Sequence, residues 1–186
     1  MRLIAGLGNP GDEYEDTPHN VGFRLLDTLI ENLKISGINK KFNSLYFKKS
    51  INGEACYFIK PQTYMNRSGK AIASFANFFQ IPIENIIIIS DDIDLELGKA
   101  RFRLGGGHGG HNGLRSVIDS LGDSNFFRLR VGVGRPQGNG DVVRHVLSPW
   151  PIPHQKIAIK IFNIVTEELI TFLENSNFEN TTFTCD

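Results

Sequence analysis

Cysteine is nearly absent, with Cys56 and Cys185 the only two in 186 residues. Cys56 lies in an apolar stretch and Cys185 is next to the last residue. No bridge between them is expected, and a reducing compartment fits best. Net charge is missing too, because 20 Lys+Arg balance 20 Asp+Glu. That excludes a global basic field, so any affinity for nucleic acid must come from a local patch. No apolar run approaches membrane-spanning length. The N-terminal apolar residues are broken by Gly6, Gly8, Pro10 and Gly11, too soon for a signal peptide. A cytoplasmic chain without membrane association is expected. There is no G-x-S-x-G elbow for a serine nucleophile, and Cys56 has nothing to activate it.

What is present suits one globular domain. Hydrophobic residues make up 40% of the chain and 22% is charged, as in ordinary soluble domains, and 14 Phe suggest aromatic core packing. Residues 3–7 read as a short buried strand, and 20–34 as a helix with Val21, Leu25, Leu29 and Leu33 on one face. Runs at 45–50 and 54–59 flank Asn52-Gly53, a strong hairpin signal. Ser68 is placed to cap a helix reaching Phe79. Ile86–Ile89 is continuous apolar, typical of a central strand. Residues 100–104 and 129–133 read as strands. Leu114–Leu121 reads as a helix closed by Gly122, and 157–173 as a long amphipathic helix. No repeat and no linker interrupts the order. The expected fold is a single α/β domain over 1–186, with a central mixed β-sheet flanked by helices. Residues 138–150 are expected to be a mobile lid, and 176–186 a frayed tail.

The run Gly105–Gly113 removes nearly every Cβ from a segment that still carries His108, His111 and Asn112. Such bare backbone exposes N–H groups and admits close approach; its plain alternative is a flexible loop. Gly6 to Gly11 satisfies G-x-G-x-x-G after a strand, which makes a dinucleotide site a rival reading. Against it, loop residues and Pro18 delay the helix, and no acidic residue ends a following strand at the right spacing. Asp27 has that spacing but lies inside the expected helix.

Ligands in sheets of this kind bind beyond the C-terminal ends of parallel strands. Asn9 and Asp91 both follow candidate central strands. A carboxylate at Asp91 needs a partner if buried. With His19 it would form a base–orienter pair; with Asp92 and Asp94 it would instead suit a hard cation. His19, held by Pro18, is a natural general base near neutrality, although a lone histidine at a helix start is ordinarily a surface residue. His108 and His111 lack a third donor for zinc. Water activated directly by His19 would suit an ester better than an amide. Asn9, Asn66 and Asn112 each sit at a turn or helix entry. Singly they read as structural; together they could bind carbonyls or an oxyanion. Tyr14, Tyr64 and Met65 offer apolar walls. Lys99, Arg101, Arg103, Arg128, Arg130 and Arg135 would form a basic stripe for phosphates if their strands are neighbours. A solvated strand face is the simpler alternative.

The motifs GLGNPG (6–11) with Tyr14 and HNVG (19–22), KPQTYMNRSG (60–69), SDDIDL (90–95), GGGHGGHNGL (105–114) and LRVGVGRP (129–136) together resemble bacterial-type peptidyl-tRNA hydrolases. They occur in the family's order and span most of the chain. The resemblance implies a metal-free, cofactor-free, cytoplasmic and usually monomeric α/β enzyme. Its partner is peptidyl-tRNA, cleaved at the ester between peptide and 3′-terminal ribose. By motif position, His19 corresponds to the catalytic base, Asp91 to its supporting acid, and Asn9 to the residue that tells blocked from free aminoacyl ends. Tyr14, Tyr64, Met65, Asn66 and Asn112 correspond to substrate-binding residues, with Asn66 also at the oxyanion and Asn112 at the water. Arg103 and Arg130 occupy the phosphate-clamp positions, and 138–150 the lid. The chain departs from the family at Pro18, where arginine is common. A nicotinamide- or flavin-dependent oxidoreductase and a non-catalytic RNA-binding module are the rival functions.

Overall fold

The structure is a computed structural model and describes residues 1–136, 138, 140–175 and 179–185. Its centre is β5 (Ile86–Asp92), buried at every residue. The four isoleucines at its start alternate sides. Ile87 and Ile89 join one apolar cluster, and Ile86 and Ile88 join another. A strand covered on both faces needs no polar alternation. β1 (Arg2–Gly6) pairs parallel with β5 on one side and with β4 (Glu54–Pro61) on the other. β3 (Ser44–Ile51) forms an antiparallel hairpin with β4. Asn52 and Gly53 turn it with φ of 47° and 80°, the left-handed pair that matches strand twist.

β7 (Phe127–Gly132) pairs parallel with β5, and β6 (Lys99–Leu104) lies antiparallel beside it. The mixed sheet has eight strands among the described residues; with β2 (Asn39–Lys41) and β8 (Thr181–Thr184) at its edges, the order is β2-β3-β4-β1-β5-β7-β6-β8. α1 (Val21–Asn32) and α5 (Ile152–Asn175) cover one face through Leu25, Leu29, Ile161 and Val165. α2 (Ser68–Phe78) and α3 (Asn112–Leu121) cover the other through Ile72, Phe75, Leu114 and Val117. Gly122 closes α3 with φ 73°. The expected layered α/β domain is the observed one. Among the described residues no helix is long and apolar enough to cross a membrane.

Three details differ from expectation. The tail is not frayed throughout: β8 (Thr181–Thr184) pairs antiparallel with β6, and Asn180 Oδ1 accepts from Leu104 N at 3.2 Å. Residues 176–178 and 186 of that expected tail lie outside the described residues. β2 (Asn39–Lys41), a short exposed edge strand, was not anticipated. Ser68 does not cap α2; it is the first helical residue, Arg67 holds the cap position, and no side-chain cap bond forms.

The segment expected to be a lid carries α4 (Val142–Leu147), capped by Asp141, whose Oδ1 accepts from Val143 N at 2.8 Å. Residue 139 lies outside the described residues. Trp150 closes this segment from its C-terminal side. Its side chain is buried, and its backbone N–H donates to Asp16 O at 2.9 Å.

Candidate active site

Two glycines explain how His19 reaches Asp91. A Cβ at Gly22 would lie 2.4 Å from Leu7 O and 2.5 Å from Ile89 O, and one at Gly6 would lie 2.3 Å from Gly22 O. The first turn of α1 therefore lies directly on the backbone where β1 ends and within β5. His19 stands three residues before Gly22 and Asp91 two after Ile89, so this contact brings them together. A 3-10 turn, Pro18–Asn20, carries His19, with Pro18 at its first position. The same packing disposes of the dinucleotide reading. A Cβ at Gly8 would fall 2.6 Å from the Phe23 ring, so α1 fills the space that a pyrophosphate would need.

His19 Nδ1 lies 2.9 Å from Asp91 Oδ1 and 3.0 Å from Oδ2. His111 Nε2 lies 2.8 Å from the same Oδ1. His111 Nδ1 accepts from the N–H groups of Gly113 and Leu114, at 3.1 and 3.2 Å, and so caps α3. An acceptor at Nδ1 places the His111 proton at Nε2, where it donates to Asp91. With His19 Nδ1–H also donating to Asp91, His19 Nε2 keeps its lone pair. Burial pushes the Asp91 carboxyl up, but the imidazoles of His111 and His19 outweigh it and hold the group well below the usual carboxylate range. The acid is thus ionised and holds two rings whose centroids are 5.0 Å apart. His19, Asp91 and His111 also offer ligand atoms within 4.8 Å of one another. A cation there would have to displace both N–H donors from Asp91.

These groups open on a cavity of about 630 Å³ at the C-terminal ends of β1 and β5. Asn9, Tyr64, Met65, Asn66 and Asn112 line it, as do Arg103, Arg130 and the glycine run from Gly105 to His111. Asn9 is fixed on three sides. Its N–H donates to Asn20 Oδ1 at 2.8 Å, its C=O accepts from Asn20 Nδ2 at 2.9 Å, and its Oδ1 accepts from Met65 N at 2.8 Å. The Nδ2 donor of Asn9 makes no hydrogen bond among the described residues. Met65, Asn66 and Arg67 form a 3-10 turn leading into α2. Asn112 opens α3 and its side chain is exposed. Tyr14 does not join them: it sits on the turn Asp12–Tyr14, outside the cavity lining.

The two strands of the expected basic stripe are neighbours, but Lys99 pairs with Glu96, Arg135 pairs with Asp94 and Arg128 turns inward. In the β6–β7 ladder Arg101 faces Arg130 and Arg103 faces Arg128. Like charges directly opposite are unfavourable without a counter-ion. Arg103 is exposed; Arg130 pairs with Asp92 Oδ2 at 2.6 Å. Arg128 is 3% exposed and turns inward onto carbonyls of the glycine run. Burial, then the Arg130 cation, lowers its pKa to about 10.

The family model described as peptidyl-tRNA hydrolase matches residues 3–184. The chain belongs to the peptidyl-tRNA hydrolase family. It is 46% identical over 176 residues to a peptidyl-tRNA hydrolase of Rickettsia bellii (strain OSU 85-389), across 94% of this chain and 95% of that one. Identity is also 46% over 175 residues to one from Caldanaerobacter subterraneus subsp. tengcongensis, with 94% of each chain covered. The crystal structure of peptidyl-tRNA hydrolase from Acinetobacter baumannii matches with a TM-score of 0.88 and 36% identity, over 95% of this chain and 89% of that one. As a member of this family the chain is a hydrolase.

Reading the residues alone missed three features of the site. The sequence offers His111 as a zinc ligand, marks no role for Asn20, and sets Arg128 among the stripe arginines. The available signals were local: a histidine one residue before a helix can cap it, and a strand arginine facing a glycine run has carbonyls within reach.

Proposed function

We propose that this chain hydrolyses the ester joining a peptide, or an N-blocked aminoacyl group, to the 3′-terminal ribose of tRNA. The reaction returns tRNA from peptidyl-tRNA dropped by ribosomes. His19 Nε2 takes a proton from water, which attacks the ester carbonyl. Asp91 keeps the reactive tautomer and stabilises the imidazolium that forms. His111 supports Asp91 through a second hydrogen bond to the same oxygen. The developing oxyanion receives a hydrogen bond from the Asn66 amide, and Asn112 orients the water. Asn9 Nδ2 donates to the acyl group and reads its blocked end. Protonated at Nε2, His19 then supplies the proton to the departing ribose oxygen.

Tyr64 and Met65 wall the acyl group, while Arg103 and Arg130 hold tRNA phosphate. The substrate role of Tyr14 rests on its motif position alone. Residues 138–150 act as a lid, the enzyme works as a cytoplasmic monomer, and no metal or other cofactor takes part. One observation carries this reading: a histidine held by a buried carboxylate at 2.9 Å, with its other nitrogen free, in the cavity of a chain of this family. The test is release of an N-acetylaminoacyl group from tRNA, run with chelator present and with the unblocked ester as control. Rapid, chelator-resistant release of the blocked group alone is expected. No release, or release abolished by chelator, overturns the reading.

A further inference from the structure

Arg128 is a buried cation without a carboxylate partner among the described residues. Its guanidinium donates to Gly107 O at 2.5 Å and to Gly106 O, and reaches Ser124 O at 3.5 Å. It also lies over the Phe126 ring at 4.7 Å. Burying an arginine with carbonyls and one aromatic face but no carboxylate is costly, and an apolar side chain of similar volume would commonly serve stability better. Stability is therefore a poor account of this residue.

Its effect on the glycine run follows from peptide geometry. No cis peptide is present among the described residues, and in a trans peptide C=O and N–H point in opposite directions. Turning Gly106 C=O and Gly107 C=O toward Arg128 turns the N–H groups of Gly107 and His108 the other way. Neither N–H donates to any acceptor among the described residues. Gly106 has φ 111°, a conformation open to glycine and strained for other residues. Gly106, Gly107 and His108 all line the cavity.

We propose that Arg128 is a positioning residue, which holds the glycine run so that the N–H groups of Gly107 and His108 donate together to one oxygen of the bound acyl-nucleotide end. This rests on the hydrolase reading above and adds the backbone site and the side chain that orients it. A paired N–H concavity of this kind takes either a phosphate or a carbonyl oxygen. The two sources are separable by ligand.

The probe is an N-acetylaminoacyl group joined through an amide to 3′-amino-3′-deoxyadenosine, with and without a 5′-linked cytidylate. In the wild-type protein the amide proton signals of Gly107 and His108 should move downfield on binding. If both compounds move them, the acyl carbonyl is the acceptor; if only the cytidylate-bearing compound does, the acceptor is phosphate. No movement with either overturns the proposal. In parallel, Arg128→Met should raise KM for N-acetylaminoacyl-tRNA about tenfold, the size of one to two lost hydrogen bonds, with kcat within about twofold and the thermal midpoint unchanged or higher. Arg128→Lys should fall between. An unchanged KM in Arg128→Lys and Arg128→Met also overturns it, as does a fall in activity that only tracks lost folded protein. If the wild-type chain releases no blocked aminoacyl group at all, the hydrolase reading fails, whereas the amide signals still report on the backbone site.

Discussion

His111 and Asp91 are joined by a 2.8 Å hydrogen bond, and the same Asp91 oxygen receives the His19 proton. Removing His111 strips a donor from a buried carboxylate and uncaps α3 at one stroke. An unsatisfied buried charge and a lost cap together should cost about 2–4 kcal/mol. His111→Ala should therefore lower both urea stability and kcat, the latter by at least about tenfold, because Asp91 loses half of its fixing. Wild-type kcat in a well-folded His111→Ala protein would show that Asp91 is held without it.

His19→Ala removes the base and leaves the cavity walls in place. Loss of a general base lowers turnover by about 10²–10⁴-fold. Single-turnover release from N-acetylaminoacyl-tRNA should fall by that factor, while filter binding of tRNA stays near wild type. Retained turnover would move the base elsewhere.

The Asp91 carboxyl contributes to stability against acid. Its folded pKa lies below the ordinary value of 3.8. A group depressed in this way stabilises the fold above its unfolded pKa, and that contribution is lost as pH falls through the folded value. The stability difference between wild type and Asp91→Asn should thus be flat above about pH 5 and shrink below about pH 4. Urea unfolding at a series of pH values measures it. A difference that persists unchanged at low pH would mean that the carboxylate is not what the two imidazoles stabilise.

How far the sequence could be read depended on the range of the forces involved. The continuous isoleucines of β5 and the Asn52-Gly53 turn declare themselves locally, because burial on both faces and left-handed backbone each demand particular residues. β8 does not. Its polar Thr181–Thr184 carries only Phe183 as an apolar anchor, and it becomes a strand because the exposed edge of β6 pairs with it. Within the site, His19 and Asp91 could be named as candidates, but 72 residues separate them, and only the close seat of Gly22 on Leu7 and Ile89 joins them. His111 and Arg128 were harder. Their roles depend on which neighbouring backbone groups face them, and no periodicity encodes that.

Arg103 is exposed beside the cavity and should act mainly through its charge. Arg103→Ala should weaken tRNA binding and make the slope of log K against log salt shallower by about one. An unchanged slope would remove Arg103 from the phosphate clamp. Arg130→Ala is a less clean probe, since it also frees the buried Asp92 carboxylate.

The lid reading rests on how α4 is held. His145 Nε2 lies 3.0 Å from Gly134 O and 3.4 Å from Val133 O, and this bond ties α4 to the end of β7. Val142, Val143 and Leu147 are exposed and line the cavity, so within α4 only Val146 adds apolar burial to the tie. Segments with few buried contacts open at low free energy. His145→Ala should speed amide hydrogen exchange across Val143–Leu147 by about fivefold or more, the effect of one net hydrogen bond of about 1 kcal/mol, while β5 exchanges as before. If α4 moves to admit the acyl group, the same variant should raise KM, because the wall that contacts the ligand is then less often in place. Equal exchange in both proteins would mean that Val146 and Trp150, both buried, hold the helix down without the histidine.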